Sequence, residues 1–408
     1  MSIPQQPIAP AAETTAEAPP PLNFMVVLRQ MLRTAEKVSD LLFSPGRPPQ
    51  IELSGQLKPV NVPGLEKLTP AHTAAIAKLI LGNHQNAIES IEKTGSADLS
   101  FSFPGECRFR VNIFKQRGTH AIVMRVIPQK IPQFTDLELP EQLKSIVELK
   151  TGIVLVTGPT GSGKSTTLAS IIDLINETKC YHIVTIEDPI EFLHLHRNST
   201  VHQRELHTDT PNFAVALRAA LRQAPKVILV GEMRDRETVE VAMEAAETGH
   251  LVLSTLHTID AAKTVDRIIG VFPKNEERVI RMRLAQSFRY IISQRLIPRA
   301  NGQGRIAAIE ILKSTLRTKD YIEKGESEGK SLMDAMEQGD QDGMQTFDGV
   351  IEKLIRSGEV TREGAMPYST NWNNLLLRIG DLGGQAQIPA RPPPAAKDKE
   401  SILDQIER

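Results

Sequence analysis

The residues from 158 to 165 have the types and spacing of a phosphate-binding loop. They match the pattern G-x-x-x-x-G-K-[ST] at every required position, reading Gly158-Pro159-Thr160-Gly161-Ser162-Gly163-Lys164-Ser165. The glycines let the backbone curl so that its N–H groups point at phosphate oxygens, at the positive end of the following helix. Lys164 can reach the β- and γ-phosphates, and the Ser165 hydroxyl can bind Mg²⁺. The sequence therefore predicts a nucleoside triphosphate site, in which we include the adjacent Thr166.

The elements around this loop must hold it in place. The apolar run 153–156 before it reads as a buried strand, and 165–176 after it reads as a helix. Further apolar runs predict strands near 183–186, 227–230 and 251–254. Strands that alternate with helices indicate an α/β fold with a parallel sheet covered on both faces.

Two of these strands end in carboxylates. Glu232 follows the apolar run 227–231, and in phosphate-loop ATPases a neighbouring strand delivers an acid to Mg²⁺ and its water. Glu187 ends the strand at 183–186, where it can orient or deprotonate an attacking water. Asp188-Pro189 can instead form a turn that caps the next element, and both interpretations can hold together.

Histidines and arginines form a second set of candidates. His250 and His257 flank the predicted strand 251–256, and either can be structural or chemical. Arg110 and Arg125 lie on predicted strands of an earlier region. Strand arginines can simply solvate one face, or one subunit can supply an arginine to its neighbour's nucleotide. The residues alone leave both possibilities open.

Composition narrows the class of protein. A chain of 408 residues predicts two or three domains. The formal net charge of −1 and the aromatic content of 4% argue against a nucleic-acid motor. The two cysteines, Cys107 and Cys180, are too few for a four-cysteine zinc site, and the histidines within 194–207 lack zinc-ligand spacing. We expect no membrane insertion, no signal peptide and a cytosolic location.

The chain divides by pattern into five segments. We expect disordered proline-rich tails at 1–21 and 383–408, an N-terminal α+β domain at 22–133, a linker at 134–140, and an ATPase domain at 141–382 whose last part is helical. In the first domain we predict helices at 22–43 and 70–81, strands within 51–60 with a Ser54-Gly55 turn, and strands at 99–103, 107–114 and 121–127. In the second we predict a helix with Pro211 in its first turn, a helix at 236–247 before Gly249, and mainly helix beyond Thr258, including 278–292.

Taken together, these motifs resemble the type IV pilus retraction (twitching motility) ATPases, PilT/PilU-like members of the type II/IV secretion ATPase superfamily. The resemblance covers roughly residues 22 to 380. Four motifs occur in the family's order: a Walker A loop at 158–165, an Asp box at 185–192, a Walker B region at 230–235 and a His box at 248–257.

The resemblance implies a RecA-like phosphate-loop ATPase core preceded by a smaller, PAS-like domain. It implies ATP with Mg²⁺, Glu187 and Glu232 as catalytic and Mg²⁺-associated acids, and His250 and His257 as active-site sensors or stabilisers. It further implies that Arg110 and Arg125 reach across a subunit boundary in a homohexamer. The implied partners are the inner-membrane pilus platform protein and a paralogous retraction ATPase, at the cytoplasmic face of the inner membrane.

Two segments point to different branches of this family. Residues 314–326 depart from the Ala-Ile-Arg-Asn-Leu-Ile-Arg-like helix of main retraction ATPases and resemble the accessory PilU type, whereas 231–235 resemble the main type. The sequence therefore leaves open whether the protein acts alone or beside a partner ATPase. Alternatives are a pilus-assembly or type II secretion ATPase, a nucleic-acid motor, and a ring that binds nucleotide without hydrolysing it.

Overall fold

The described residues form two sheets, the first packed on one hydrophobic core and the second with a hydrophobic core on each face. The computed structural model describes residues 23–35, 38–53, 56–127 and 130–380. The expected tails, and the expected Ser54-Gly55 turn, lie outside these described residues. No helix among the described residues is long and apolar enough to cross a membrane.

The N-terminal sheet is antiparallel and six-stranded, with strand order β3-β2-β1-β6-β5-β4. Its strands are β1 (Asp40–Phe43), β2 (Gln50–Leu53), β3 (Gln56–Pro59), β4 (Ser96–Phe103), β5 (Cys107–Gln116) and β6 (Thr119–Ile127). Three helices accompany it: α1 (Phe24–Arg33), α2 (Pro70–Leu81) and α3 (Gln85–Thr94).

Alternation along β5 decides which residues of this sheet face the core. Phe109 and Val111 are fully buried among the apolar side chains of α1 and α2. The intervening residues Arg108 and Arg110 therefore point to the opposite face. Arg125 on β6 is the direct register partner of Arg110, so it shares that face.

The second sheet is seven-stranded, with order β13-β12-β7-β11-β10-β8-β9. Its strands are β7 (Gly152–Thr157), β8 (His182–Glu187), β9 (Thr200–Glu205), β10 (Val227–Val230), β11 (Leu251–Leu256), β12 (Phe288–Pro298) and β13 (Arg305–Lys313). All neighbouring pairs are parallel except β12 with β13. The central strands are buried on both faces, which explains their continuous apolar sequences.

Helices and short 3₁₀ segments surround this sheet. They are the 3₁₀ segment Glu141–Glu148, α4 (Lys164–Thr178), α5 (Phe213–Ala220), α6 (Arg236–Glu247), α7 (Ala261–Ile269) and α8 (Glu277–Ser287). Five more complete the C-terminal part: α9 (Leu316–Lys324), α10 (Leu332–Glu337), α11 (Phe347–Arg356), α12 (Arg362–Ala365) and α13 (Trp372–Arg378). The predicted fold class, an α/β ATPase core behind a smaller α+β domain, is confirmed. The domain boundaries stay predictions.

Three expectations about elements were wrong. The segment 22–43 is not one helix, because α1 ends at Arg33 and β1 begins at Asp40. The helix expected at 278–292 ends at Ser287, and the chain continues directly as β12 because β7 and β13 offer hydrogen-bond partners on both sides. Pro211 precedes α5, whose N-cap is Asn212 with its side chain bonded to a backbone N–H.

Candidate nucleotide-binding and catalytic site

The loop 158–163 connects β7 directly to α4, at the carboxyl end of the parallel strands. Gly163 is the N-cap of α4 in the left-handed conformation, with φ of 89°. Gly158 has φ of 144°, and a Cβ there would lie 2.4 Å from the backbone oxygen of Gln294. A Cβ on Gly163 would lie 2.8 Å from the Gln294 side-chain amide. Glycine is therefore required where β12 presses against the loop, which leaves the loop's open side for phosphate.

Lys164 is folded back onto this loop. Its side chain is buried, and Nζ donates to the carbonyl oxygens of Gly158 (2.9 Å) and Pro159 (3.0 Å). Burial lowers the pKa of Lys164, while the nearby carboxylates Glu232 and Glu191 act in the opposite direction. A bound phosphate would stabilise the charged form of this buried ammonium group, because it would supply a negative charge where water is excluded.

A cavity of about 670 Å³ opens beside the loop. Its wall includes Lys164, Ser165 and Thr166 from the loop and helix, and Glu187, Glu232 and His257 from the ends of other strands. The remaining predicted loop residues that line it are Thr160, Gly161 and Gly163. Six of the nine predicted nucleotide-binding residues and both predicted acids therefore line a single cavity, whereas Gly158, Pro159 and Ser162 are not part of its wall.

His257 lies between the lysine and one of the acids. Its Nδ1 is 3.5 Å from Lys164 Nζ, and its Nε2 is 3.5 Å from Glu232 Oε2. Glu232 also forms an ion pair with Arg234, whose NH2 lies 2.6 Å from Oε2. This arrangement holds the Glu232 carboxylate near Lys164, the residue that is predicted to reach the γ-phosphate.

Glu187 is held by two hydrogen bonds to one oxygen. The Thr185 hydroxyl donates to Oε1 at 2.6 Å, and the Gln203 amide donates to the same atom at 3.1 Å. Burial raises the pKa of Glu187 to about 6, against the lowering effect of these two donors. A carboxylate with a pKa near 6 is well matched to accept a proton from water near neutral pH.

Gln203 was missed by the sequence analysis as a site residue. Besides Glu187, its amide nitrogen donates to the Phe192 carbonyl at 2.8 Å, and its oxygen accepts from the backbone of His194 at 2.8 Å. It lies on β9, an edge strand of mostly polar residues with no apolar run to reveal it. The same amide thus positions a catalytic candidate and the segment that follows it.

His194, one of the clustered histidines, also lies in the cavity wall. It is buried, burial lowers its pKa to about 4, and its Nδ1 has no hydrogen-bond partner within the described ranges. His202 instead points to His182, with 2.9 Å between His182 Nε2 and His202 Nδ1. The cluster is therefore divided between the cavity and another surface.

The two predicted arginines have different surroundings. Arg110 lines the cavity of its own chain, together with the loop residues. Arg125 pairs with the buried Asp40, with 3.0 Å between Arg125 Nε and Asp40 Oδ1, and is not part of the cavity wall. Whether either arginine serves a neighbouring subunit stays a prediction.

His250 lies away from this cavity. It precedes β11, whose other end carries His257, and its Nδ1 is 3.0 Å from the carbonyl oxygen of Ala245. Its own carbonyl accepts from Gly152 at the start of β7. Because both strands are parallel and the phosphate loop follows the far end of β7, six residues separate His250 from the site. Its expected place beside the nucleotide is therefore not found within one chain.

The donor atoms of the cavity fit a small, hard cation held mainly through phosphate. Ser165 offers a hydroxyl and Glu232 a carboxylate, and Mg²⁺ prefers such oxygens while keeping waters and phosphate ligands. No group of three or more histidine, cysteine or acidic side chains suited to a metal occurs in the described part of the chain. A cation here would therefore depend on the nucleotide.

The sequence of this chain is similar to a known protein family and to two pilus ATPases. The family described as type II/IV secretion system protein matches residues 75–357. The type IV pilus retraction ATPase PilT of Pseudomonas aeruginosa is 45% identical over 327 residues, which cover 80% of this chain and 93% of that protein. The type IV pilus ATPase PilU of the same organism is 38% identical over 365 residues, covering 90% of this chain and 93% of that protein.

A solved structure agrees in fold. The crystal structure of the pilus retraction motor PilT with bound ADP superimposes with a TM-score of 0.77 at 41% identity. The match covers 86% of this chain and 98% of that one. A relative with this degree of likeness therefore binds a nucleotide.

Proposed function

The chain belongs to the type II/IV secretion system protein family, and from this membership we propose that it is an ATP-hydrolysing motor that retracts type IV pili. One observation of the site carries the proposal. Lys164, Glu187, Glu232 and His257 come from four separate parts of the sequence and line one cavity beside the phosphate loop. That set combines phosphate binding with a base for water, which is what hydrolysis requires.

Each group has a task in this proposal. The loop N–H groups and Lys164 hold the β- and γ-phosphates. Glu187, ionised above a pKa of about 6, orients the attacking water and accepts its proton. Glu232, steadied by Arg234 and His257, lies beside the transferred phosphoryl group. The Ser165 hydroxyl and the Glu232 carboxylate would help to hold Mg²⁺ brought in with the nucleotide, and the ion would neutralise phosphate charge.

Arg110 adds a positive charge to the same cavity from the N-terminal domain. An arginine that approaches the γ-phosphate stabilises the charge of the transition state and accelerates transfer by roughly 10³- to 10⁵-fold in related systems. Because Arg110 belongs to a different domain from Lys164, closure of the two domains on ATP would bring it into place. Hydrolysis then releases that closure, which is the mechanical step.

The assembly we propose is a homohexameric ring at the cytoplasmic face of the inner membrane, at the base of the pilus. Subunits arranged head to tail close into a ring and repeat the domain motion at each interface. The ring would act on the inner-membrane platform protein of the pilus machine. The family resemblance, and the names of the two pilus relatives, support this placement.

A second version of the function is an accessory motor that works beside a paralogous retraction ATPase. This version is favoured by the length of the alignment, because the match to PilU covers 90% of this chain and the match to PilT covers 80%. The higher identity to PilT, 45% against 38%, favours an independent motor. The two versions predict different phenotypes when this protein is the only retraction ATPase that a strain expresses.

The enzymatic part is tested with purified Lys164→Ala protein. We expect ATP turnover to disappear, because no other side chain in the loop carries a positive charge to the γ-phosphate. Full activity in this variant would contradict the assignment of the site. Stimulation of the wild-type ATPase by DNA would favour a nucleic-acid motor instead.

The cellular part is tested by deleting the gene and imaging labelled pili. Retraction predicts longer or more numerous pili that no longer shorten, whereas loss of pili would indicate an assembly ATPase. Expression of this protein alone in a strain lacking both retraction ATPases separates the two versions. An independent motor restores shortening by itself, and an accessory motor requires its paralogue.

A further inference from the structure

A largely buried ion pair joins the N-terminal domain to the edge strand of the ATPase sheet. Arg108 NH2 on β5 donates to Oε2 of Glu205 on β9 at 2.7 Å. The two side chains are only 17% and 4% exposed, so water screens the pair weakly. A second hydrogen bond between the domains, from the Asn86 side chain to the His207 carbonyl at 3.5 Å, lies next to it.

The same oxygen of Glu205 also binds the loop that follows Glu187. The backbone N–H of Ile190 donates to Glu205 Oε2 at 3.1 Å. Glu205 is the direct register partner of Glu187 in the parallel pair of β8 and β9. The Glu187 carbonyl in turn accepts from the N–H of Leu206 at 2.9 Å. β9 therefore holds both ends of the segment 187–190: Leu206 binds the Glu187 carbonyl, and Glu205 binds the Ile190 N–H. These two bonds help to fix the direction of the Glu187 side chain.

We propose that Arg108 and Glu205 form an interdomain link that positions the Glu187 loop according to the placement of the N-terminal domain. Arg108 is here a positioning residue and Arg110, two residues along the same strand face, is the one that meets the cavity. Movement of β5 that carries Arg110 toward the nucleotide must also move Arg108, because both belong to one strand. The link makes the position of the hydrolytic carboxylate depend on domain closure.

Among the residues that the structure describes, Glu205 is the side chain found paired with the Arg108 guanidinium. Its Nε is buried and lacks a hydrogen-bond partner in the described part of the chain. If Arg108 is removed, the Glu205 carboxylate that binds Ile190 is left buried without its counter-charge. Such a group is costly to bury, so the loop around it must rearrange.

The inference rests on the proposed role of Glu187, and the test uses the full-length protein. Arg108→Met should lower kcat for ATP roughly 10- to 100-fold, since a misplacement of about 1 Å at a reacting group has effects of that size. KM for ATP should stay within about twofold, because the phosphate loop is untouched. Hydrogen exchange at the amide of Ile190 should become faster.

Two more variants separate the link from the cost of a stranded charge. Glu205→Gln keeps an oxygen for Ile190 and for Arg108 but removes the charge, so kcat should fall only a few-fold. The double variant Arg108→Met/Glu205→Gln has no stranded charge and no link. If the link matters, its kcat stays as low as that of Arg108→Met. A return of the double variant to wild-type kcat would overturn the proposal.

Arg283→Met is the matched control. It removes another arginine–glutamate pair, Arg283 with Glu247, which has an Nε to Oε1 distance of 2.8 Å and lies outside the cavity wall. Its kcat and the exchange of Ile190 should match wild type. Unchanged Ile190 exchange in both Arg108→Met and Glu205→Gln would also overturn the link. That result is distinct from retained turnover in Lys164→Ala, which contradicts the proposed function, because exchange is measured without turnover.

Discussion

Replacing Gln203 with leucine should shift the pH dependence of ATP hydrolysis. Gln203 donates to Glu187 Oε1 at 3.1 Å and thereby lowers the pKa of Glu187, which burial has raised to about 6. Leucine has a similar size and no donor, so the ionised form of Glu187 loses one of its two side-chain hydrogen bonds. The pKa of Glu187 should therefore rise further.

The size of the shift follows from the strength of the bond. A hydrogen bond to a charged group contributes about 1.5–3 kcal/mol, and each pKa unit corresponds to about 1.4 kcal/mol. The Thr185 hydroxyl, at 2.6 Å from the same oxygen, remains and compensates in part. We therefore take the lower end and expect the pKa of Glu187 to move from about 6 to about 7.

The direction of the effect on activity is then fixed. The active form is the carboxylate, so activity is lost as pH falls through the pKa. At pH 8 both proteins are more than about nine-tenths ionised at Glu187, whereas at pH 6.5 the ionised fraction is about three-quarters in wild type and about one-quarter in Gln203→Leu. The ratio of variant to wild-type kcat should fall about threefold between these pH values, in addition to any constant loss from misplacement.

The assay is steady-state phosphate release at saturating Mg²⁺ and ATP across pH 6 to 8.5. Titration of the nucleotide is common to both proteins and cancels in the ratio. Gln345→Leu is the control, because Gln345 also joins two segments through its amide, to Gln142 and to the Ile309 carbonyl, but lies outside the cavity wall. A Gln203→Leu ratio that is constant with pH would refute the reasoning about Glu187.

Three further changes test other parts of the site and core. Gly158→Ala should weaken nucleotide binding at least about tenfold in a fluorescent-ADP titration, because its Cβ would lie 2.4 Å from the Gln294 carbonyl oxygen. Gly161→Ala is the control, because its Cβ would meet nothing within 4 Å, and it should lower the free energy of unfolding by about 1 kcal/mol through its left-handed backbone alone. The pKa of the fully buried Glu310 is raised by burial to about 7, so the folded state holds a proton that the unfolded chain releases near pH 4.5. Wild-type stability relative to Glu310→Gln should therefore fall by up to about 3 kcal/mol between pH 5 and pH 8 in urea unfolding, and a constant difference would contradict the assignment. His257→Ala should lower kcat about tenfold with a smaller change in nucleotide affinity, and the reverse pattern would exclude its place between lysine and acid.

The strands that carry the site could be predicted because their sequences are continuous apolar runs. Buried parallel strands at 153–156, 183–186 and 227–230 contrast sharply with their neighbours, and the residues that follow them are the loop and the two acids. The phosphate loop itself has fixed spacing. These local signals predict that Lys164 and Glu232 lie close together, and both line the same cavity.

The edge strand β9 gave no comparable signal. Its residues Thr-Val-His-Gln-Arg-Glu include one buried apolar side chain, so nothing in its composition distinguishes it from a loop. Gln203 and Glu205 were therefore invisible as site residues. Their roles arise from the parallel pairing with β8, which is a property of the sheet rather than of the segment.

The prediction of one helix across the junction of α8 and β12 was wrong for a related reason. Apolar residues at 285, 288 and 292 have helical spacing, and no glycine or proline separates helix from strand. Hydrogen-bond partners on both flanks outweigh this local pattern. The alternation along β5 predicts only which face of the N-terminal sheet carries Arg108. The acid that it meets depends on how two domains pack, which no local pattern encodes.

The same strand β12 has a consequence for how load would pass through the molecule. It is hydrogen-bonded along one edge to β7 and along the other to β13, and it follows α8 without an intervening loop. Near its end, Arg295 lies 3.7 Å over the Phe347 ring and donates to the Ile259 carbonyl at 3.2 Å. Tension along β12 would strain many interstrand hydrogen bonds in shear at once rather than one after another. The strand that presses on the phosphate loop is thus a stiff mechanical tie between the nucleotide and the C-terminal helices.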